Sequence, residues 1–235
     1  MPESDCVILT GDDAHHISRV LRMKSGEALT ICDGLGTDYQ CVLTDTEGGK
    51  VNCHIEERVP SRGEPVTDVT LFMALPKGDK MDFIVQKAVE LGANTVVPYL
   101  ASRCVSRPDG KALAKKIERW RKIAREAAQQ CGRGRVPTVM KCVDFSAAVA
   151  RAAQTEMPLF FYEMERETSV RTVLRAHTFT SAAIMIGPEG GFAEEEAQMA
   201  RQNGLTHVSL GPRILRCETA PLAALTAVLY ESGNL

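Results

Sequence analysis

Residues 182–220 read AAIMIGPEGGFAEEEAQMARQNGLTHVSLGPRILRCETA, and this stretch decides the fold. AAIMIG (182–187) is an apolar run of strand length that ends on the turn GPEGGF; HVSLG (207–211) is a second, and it runs into LGPRILRCETA. The residues between them have helical composition, and Glu194–Glu196 stand at the start, where acids suit the helix dipole. Open parallel sheets bind ligands outside the carboxyl ends of their strands, and glycine lets backbone approach a ligand closely. Two such loops, neighbours along the chain, can wall a single pocket. A plainer reading stands beside this one. GPEGG is more often a tight turn, Arg213, Arg216 and Glu218 can be a surface charge cluster, and Thr219 can simply cap the last helix ahead of Pro221. Neither loop matches GxGxxG or the P-loop pattern, which weakens dehydrogenase and NTPase readings. No HExxH or other spaced His/acid cluster points to a metal.

Upstream the same alternation continues. VTLFMAL (69–75), TVVPYL (95–100), PTVMKC (137–142) and PLFFY (158–162) read as strands. Helices are expected over 79–91, where Met81, Ile84, Ala88 and Leu91 recur at helical spacing before Gly92, and over 111–131, 144–154, 168–176, 193–203 and 219–232. Residues 65–235 are therefore expected to form an α/β domain, a parallel sheet covered on both faces. Residues 1–64 differ. EALTICD, DYQCVLTD and KVNCHIEERV are short strands separated by glycines, with a short helix through HHISRVLRM capped by Asp12 or Asp13. That pattern predicts a small β-barrel, joined to the rest by the polar break PSRGEP (60–65).

Composition is an ordinary soluble balance: 44% hydrophobic, 25% charged, with no apolar run near the ~20 residues that span a bilayer. The opening MPESDCVILTGDD lacks a basic segment followed by an apolar one, so no secretory signal is expected. Eight cysteines without a CxxC pair suit buried thiols in a reducing cytoplasm. Net charge is only −2, but residues 101–141 carry twelve Lys and Arg against three acids, leaving that stretch at +9 and the remainder at −11. Such a stripe is either a footprint for phosphates or a solvated helix face. On the 111–131 helix, Leu113, Ile117, Trp120, Ala124, Ala127 and Cys131 fall on one side; Lys115, Arg119, Lys122, Glu126 and Gln129 fall opposite, with Arg133 continuing the series.

GPEGG followed by LGPRILRCETAPLAAL resembles the SPOUT, or trefoil-knot, methyltransferase superfamily, and more narrowly the family that methylates N3 of a uridine in bacterial small-subunit (16S) rRNA. HHISRVLRMKSGE (15–27), KGDKMDFIVQKAVELGA (77–93) and RWRKIAREAAQQCGRGRVP (119–137) resemble further segments of that family, so the likeness runs from about Asp12 to the C-terminus. It implies a PUA-like β-barrel over 1–64 that binds RNA, a knotted α/β domain over 65–235, a homodimer, and S-adenosylmethionine as cofactor. Carried onto this chain, the cofactor pocket comprises Ile186, Gly187, Glu189 and Gly190 with Leu210, Gly211, Arg213, Ile214, Leu215 and Thr219. Two departures stand out. The chain opens MPESDCVIL where the family has an Arg-Phe-Phe-like strand, so the barrel's first strand is expected to be missing or replaced, and ASRCVSR (101–107) puts Ser102–Arg103 where an acid is usual.

Methyl transfer from a sulfonium is an in-line displacement, and uracil N3 must lose its proton before or during attack. Arg216, to stabilise the uracilate oxygens, and Glu218, as base, are the expected catalytic pair, with Arg125 or Glu126 of the partner subunit next in line. Arg103, Arg107, Lys111, Arg119, Lys122, Arg133 and Arg135 are expected to meet RNA phosphates, extended by Arg19 and Arg22. Another SPOUT enzyme, methylating a tRNA or rRNA ribose 2′-oxygen, is the nearest alternative; a non-enzymatic RNA-binding or assembly protein is the alternative from a different class.

Overall fold

Apolar residues at every second position build the first sheet. Tyr39, Cys41 and Leu43 of β3 (Thr37–Asp45) and Val51, Cys53 and Ile55 of β4 (Val51–Pro60) are all buried, and their neighbours in sequence are not. β2 (Ala28–Cys32) joins β3, and β1 (Cys6–Leu9) joins β4, giving an antiparallel sheet in the order β1-β4-β3-β2. Cys6–Leu9 do form a strand against β4, so among the described residues the expected element is replaced rather than missing. In this computed structural model, which describes residues 5–235, Met1–Ser4 at the head of MPESDCVIL lie outside the described residues.

Ala14 and Ile17 pack on this sheet from α1 (Gly11–His15) and from a π-helical stretch, His16–Val20, that continues it. The helix begins a turn earlier than expected. Thr10 is its N-cap and Asp12 and Asp13 lie in the first turn, so they favour the dipole rather than cap. The HHISRVLR segment is thus an under-wound helix end, the kind of irregularity that is frequent at functional sites.

Residues up to Glu64 form one compact unit, and Gly132–Arg135, although some seventy residues downstream, belong to it. Gly36 N–H donates to Gly134 O at 2.9 Å and the Cys32 thiol to the same oxygen at 3.0 Å. Gly134 must be glycine, because a Cβ there would lie 1.9 Å from Ser61 Oγ. Arg133 corrects the expectation. It does not continue the basic helix face. It is buried, its side chain 3% exposed, with Nη2 2.8 Å from Glu64 Oε2. Glu64 also accepts from Arg135 N–H at 2.9 Å, so the PSRGEP segment supplies an ion-pair partner as well as a connection.

The second unit, Pro65–Cys131 and Val136–Leu235, is the parallel α/β part. Its strands are β5 (Asp68–Ala74), β6 (Thr95–Leu100), β7 (Thr138–Val139), β8 (Val143–Asp144), β9 (Met157–Phe161), β10 (Ser181–Ile186) and β11 (Thr206–Val208). They pair in parallel in the order β11-β9-β10-β5-β6-β7, with β8 also on β6. Its helices are α2 (Lys80–Glu90), α3 (Gly110–Cys131), α4 (Phe145–Ala152), α5 (Val170–Ala176), α6 (Glu194–Gln202) and α7 (Ala220–Glu231). The central strands β5 and β10 read as continuous apolar runs because they are covered on both faces: Leu71, Met73, Ile184 and Met185 are fully buried. Truncating one of these to alanine costs about 2–5 kcal/mol.

Three local expectations change. The strand expected over 137–142 is two short pieces, β7 and β8, with Met140–Cys142 between them. HVSLG yields only Thr206–Val208, because Ser209 turns back to hold Gly211. On α3, Ile117, Trp120, Ala124 and Ala127 are buried as expected, and Trp120 donates to Asp82 Oδ1 at 2.9 Å, but Cys131 is exposed at the helix end.

Candidate active site

Sheet order positions the site. β9 lies between β10 and β11, so the chain leaving β10 must pass β9 to reach β11, and three loops emerge side by side at the carboxyl ends of these strands. They surround a cavity of about 520 Å³. Ile186–Gly191 line it from the β10 loop. Val208–Gly211, Arg213–Cys217 and Ala220 line it from the β11 loop. Phe161, Tyr162, Glu163 and Arg166 line it from the β9 loop. A volume of this size suits a drug- or cofactor-sized molecule.

Each wall is held from outside. Phe192, just beyond the β10 loop, is 2% exposed and packs on Phe160 with ring centroids 4.1 Å apart, which ties the loop's end to the core. Glu163 accepts from Phe192 N–H at 2.9 Å. Gly191 has φ +67°, and a Cβ on it would sit 1.9 Å from Glu163 Oε1, so the GG pair leaves room for this carboxylate. Tyr99, buried beneath, donates to Ile186 O at 2.8 Å. Glu196, an acid of the GPEGGFAEEE run, ties two backbone segments together by accepting from Ala193 N–H at 2.9 Å and from Ser102 N–H at 2.8 Å.

Behind the cavity lies a charged cluster. Lys80 Nζ is 3.1 Å from Glu189 Oε1, 3.0 Å from Glu218 Oε2 and 3.5 Å from Cys217 Sγ. The ammonium of Lys80, seconded by the Cys217 thiol, lowers Glu218 to about 2. The two carboxylates raise Lys80 in turn. Burial first, then the Glu218 and Glu189 carboxylates, pushes the Cys217 thiol up to about 12, so it is not a nucleophile at neutral pH. Burial pulls Glu189 upward, but backbone N–H groups of Glu189 and Lys77 and the Lys80 ammonium outweigh it and its value falls.

The residues expected to form the pocket are brought together with one exception. Ile186, Gly187, Glu189, Gly190, Leu210, Gly211, Arg213, Ile214 and Leu215 all line the cavity. Thr219 does not; its N–H donates to Arg216 O at 2.9 Å as the chain enters α7. Arg216 is on the wall and Glu218 is not. A carboxylate held by an ammonium at about 2 is a poor proton acceptor, so the pairing with Lys80 does not favour Glu218 as the base. Sequence reasoning missed the β9 loop, with Tyr162, Glu163 and Arg166. The available signal was position alone: Tyr-Glu directly follows an apolar strand, as GPEGG does.

The basic residues split. Arg103, Lys111, Lys122 and Arg135 are exposed, as are Arg19 and Arg22 in the first unit. Arg103 Nη1 donates to Gly190 O at 3.1 Å, which joins that loop to the cavity wall. Arg107 spends its guanidinium on the carbonyls of Ala101 and Ser102, both at 2.9 Å. Arg119 pairs with Asp82 at 2.5 Å while its side chain stays 63% exposed. Of the two residues expected to act from a second subunit, Arg125 is exposed and Glu126 has a long 3.7 Å contact to Lys122. Among the described residues no helix is long and apolar enough to cross a membrane.

Comparison with known proteins agrees with this anatomy. Residues 62–229 match the RNA methyltransferase domain family and residues 9–56 the RNA methyltransferase PUA domain family. The chain is 38% identical to ribosomal RNA small subunit methyltransferase E of Bacillus subtilis, over 99% of this chain and 93% of the relative. It is 34% identical to the protein of the same name from Synechocystis, over 96% of this chain and 74% of the relative. A crystal structure of ribosomal RNA small subunit methyltransferase E from Neisseria gonorrhoeae, bound to S-adenosylmethionine, superposes with a TM-score of 0.82 at 34% identity, over 97% and 95% of the two chains. Fold, cavity and full-length similarity together lead to one conclusion: the chain belongs to the ribosomal RNA small subunit methyltransferase E family, a PUA-like unit joined to a SPOUT α/β unit.

Proposed function

We propose that this protein transfers the methyl group of S-adenosylmethionine to N3 of a specific uridine in 16S rRNA of the small ribosomal subunit. One observation carries the reading. In a chain that matches RNA methyltransferases over residues 62–229, the loops after β9, β10 and β11 converge on a single cavity of cofactor size. The residues present fit the cofactor. Ile186, Leu210 and Leu215 offer apolar cover for a purine, and the backbone groups of the two glycine-bearing loops suit its edge. Glu163 is an acceptor suited to the paired hydroxyls of a ribose. When bound, S-adenosylmethionine supplies a methyl group on a sulfonium.

Arg216 stands on the same wall, and in this reading its guanidinium stabilises the oxygens of a uracil that has lost its N3 proton. Since Glu218 is committed to Lys80, the acceptor of that proton is assigned to Glu126 of the partner subunit, with Arg125 beside it as a further cation. The reading therefore includes a homodimer, the knot of the superfamily, 1–64 as an RNA-binding unit, and the cytoplasm as the compartment where rRNA is met. Exposed cations of the basic segment, Arg103, Lys111, Arg119 and Lys122, hold phosphates and make affinity salt-dependent.

The test is methyl transfer to small subunits isolated from cells lacking the gene, with the product mapped by mass spectrometry. A methyl group on uracil N3 supports the reading. A methyl group on a ribose 2′-oxygen would give the chemistry to another SPOUT class, and no transfer, despite tight RNA binding, would favour an assembly protein.

A further inference from the structure

Both glycine-bearing loops end on the same distant point. Glu189 of the β10 loop accepts from Lys77 N–H at 3.1 Å, 112 residues away, and from Lys80 Nζ at 3.1 Å. Glu218, before α7, accepts from the same Nζ at 3.0 Å, and Cys217 Sγ lies 3.5 Å from it. An ammonium has three donors and no acceptor, so it can serve two carboxylates at once. Lys80 itself is not on the cavity wall, whereas Glu189 and Cys217 are. Without the ammonium, two carboxylates would face one another across a shared site, and their repulsion would drive the loops apart.

The geometry points to Lys80 as a positioning residue: it latches the β10 loop to the β11 loop and keeps the cavity in its binding shape. This inference rests on the reading that the cavity takes S-adenosylmethionine. The carboxylate side chain of Glu189 then faces the latch, and that residue meets the cofactor through its backbone. The start of α2 becomes part of the cofactor site without touching the cofactor.

The experiment is calorimetric titration of the full-length chain with S-adenosylmethionine. Lys80→Met is expected to weaken binding about tenfold, the effect of losing two partly exposed charge-assisted bonds. Lys80→Arg, which keeps the charge and can reach both carboxylates, should stay within about threefold of native. The decisive readout is a reversal of sign. Glu218→Gln weakens binding in the native background, where it removes one arm of the latch. In the Lys80→Met background it strengthens binding, because it removes one of two repelling charges. If Lys80→Met does not fold, the non-additivity of Glu189→Gln and Glu218→Gln reads the same coupling. Native affinity in Lys80→Met, or an equal loss from Glu218→Gln in both backgrounds, overturns the latch alone. A native chain that takes up no S-adenosylmethionine overturns the cofactor reading together with it.

Discussion

Substituting Gly191 by alanine should open the cofactor cavity, and the structure sets the size of the effect. The residue has φ +67°, where an L side chain costs roughly 1–2 kcal/mol over glycine. The new Cβ would also stand 1.9 Å from Glu163 Oε1, so that carboxylate must leave Phe192 N–H, its partner at 2.9 Å. A hydrogen bond to a charged group contributes about 1.5–3 kcal/mol, and partial exposure argues for the lower end. The two costs together come to about 3 kcal/mol. If the loop relieves them by moving away from β9, the loss falls on the cofactor complex, and the dissociation constant for S-adenosylmethionine rises roughly a hundredfold. Calorimetry on native, Gly191→Ala and Gly190→Ala chains measures this. Gly190 is the control: its φ is outside the left-handed region, and its Cβ, 3.2 Å from Arg103 Cβ, needs that exposed side chain to give by only a few tenths of an ångström. Gly191→Ala binding within threefold of native would refute the argument, as would equal losses at the two glycines.

Three other outcomes are expected. Arg133→Met leaves the Glu64 carboxylate, 14% exposed, without its guanidinium and should destabilise the first unit by about 3 kcal/mol; hydrogen exchange in peptides covering 28–64 would quicken about a hundredfold, and unchanged exchange would contradict the buried pair. Arg22 has φ +55°, so Arg22→Gly should leave the melting temperature level or higher while the salt dependence of RNA binding shrinks by about one ion; a lower melting temperature would show that the backbone is not strained there. Glu218 titrates near 2 in the folded chain against an ordinary 4.5, so its contribution to stability is full above about pH 4.5 and drains away as pH falls toward 2. Native and Glu218→Gln chains should therefore differ in urea midpoint at pH 7 and converge near pH 2; equal midpoints at pH 7 would remove the link.

The parallel sheet was legible because its central strands need no partner pattern to be recognised. AAIMIG is apolar throughout and VTLFMAL is apolar but for Thr70, and only strands covered on both faces tolerate that. The pocket was legible where glycines mark it, at GPEGG and LGPR. The third wall was not, since nothing in FFYEMER departs from an ordinary strand end. Long-range pairing was also beyond reach. Arg133 looks like one more member of a basic series until Glu64, 69 residues earlier, is seen to neutralise it. Glu218 reads as an available base until it is placed against Lys80. Strand-like runs between glycines revealed β3 and β4, whereas the two-residue strands β7 and β8 are too short for any pattern to show.

The excursion of Gly132–Arg135 bears on how this protein can be divided. A cut after Glu64 looks natural on the amino-acid string, yet it would sever the first piece from the segment that contacts Gly36, Cys32 and Ser61. The second piece would carry a guanidinium whose counter-charge had been left behind. Neither fragment is then a faithful sample of its half, and swapping either with a relative's counterpart would have to transplant four residues from the middle of the other.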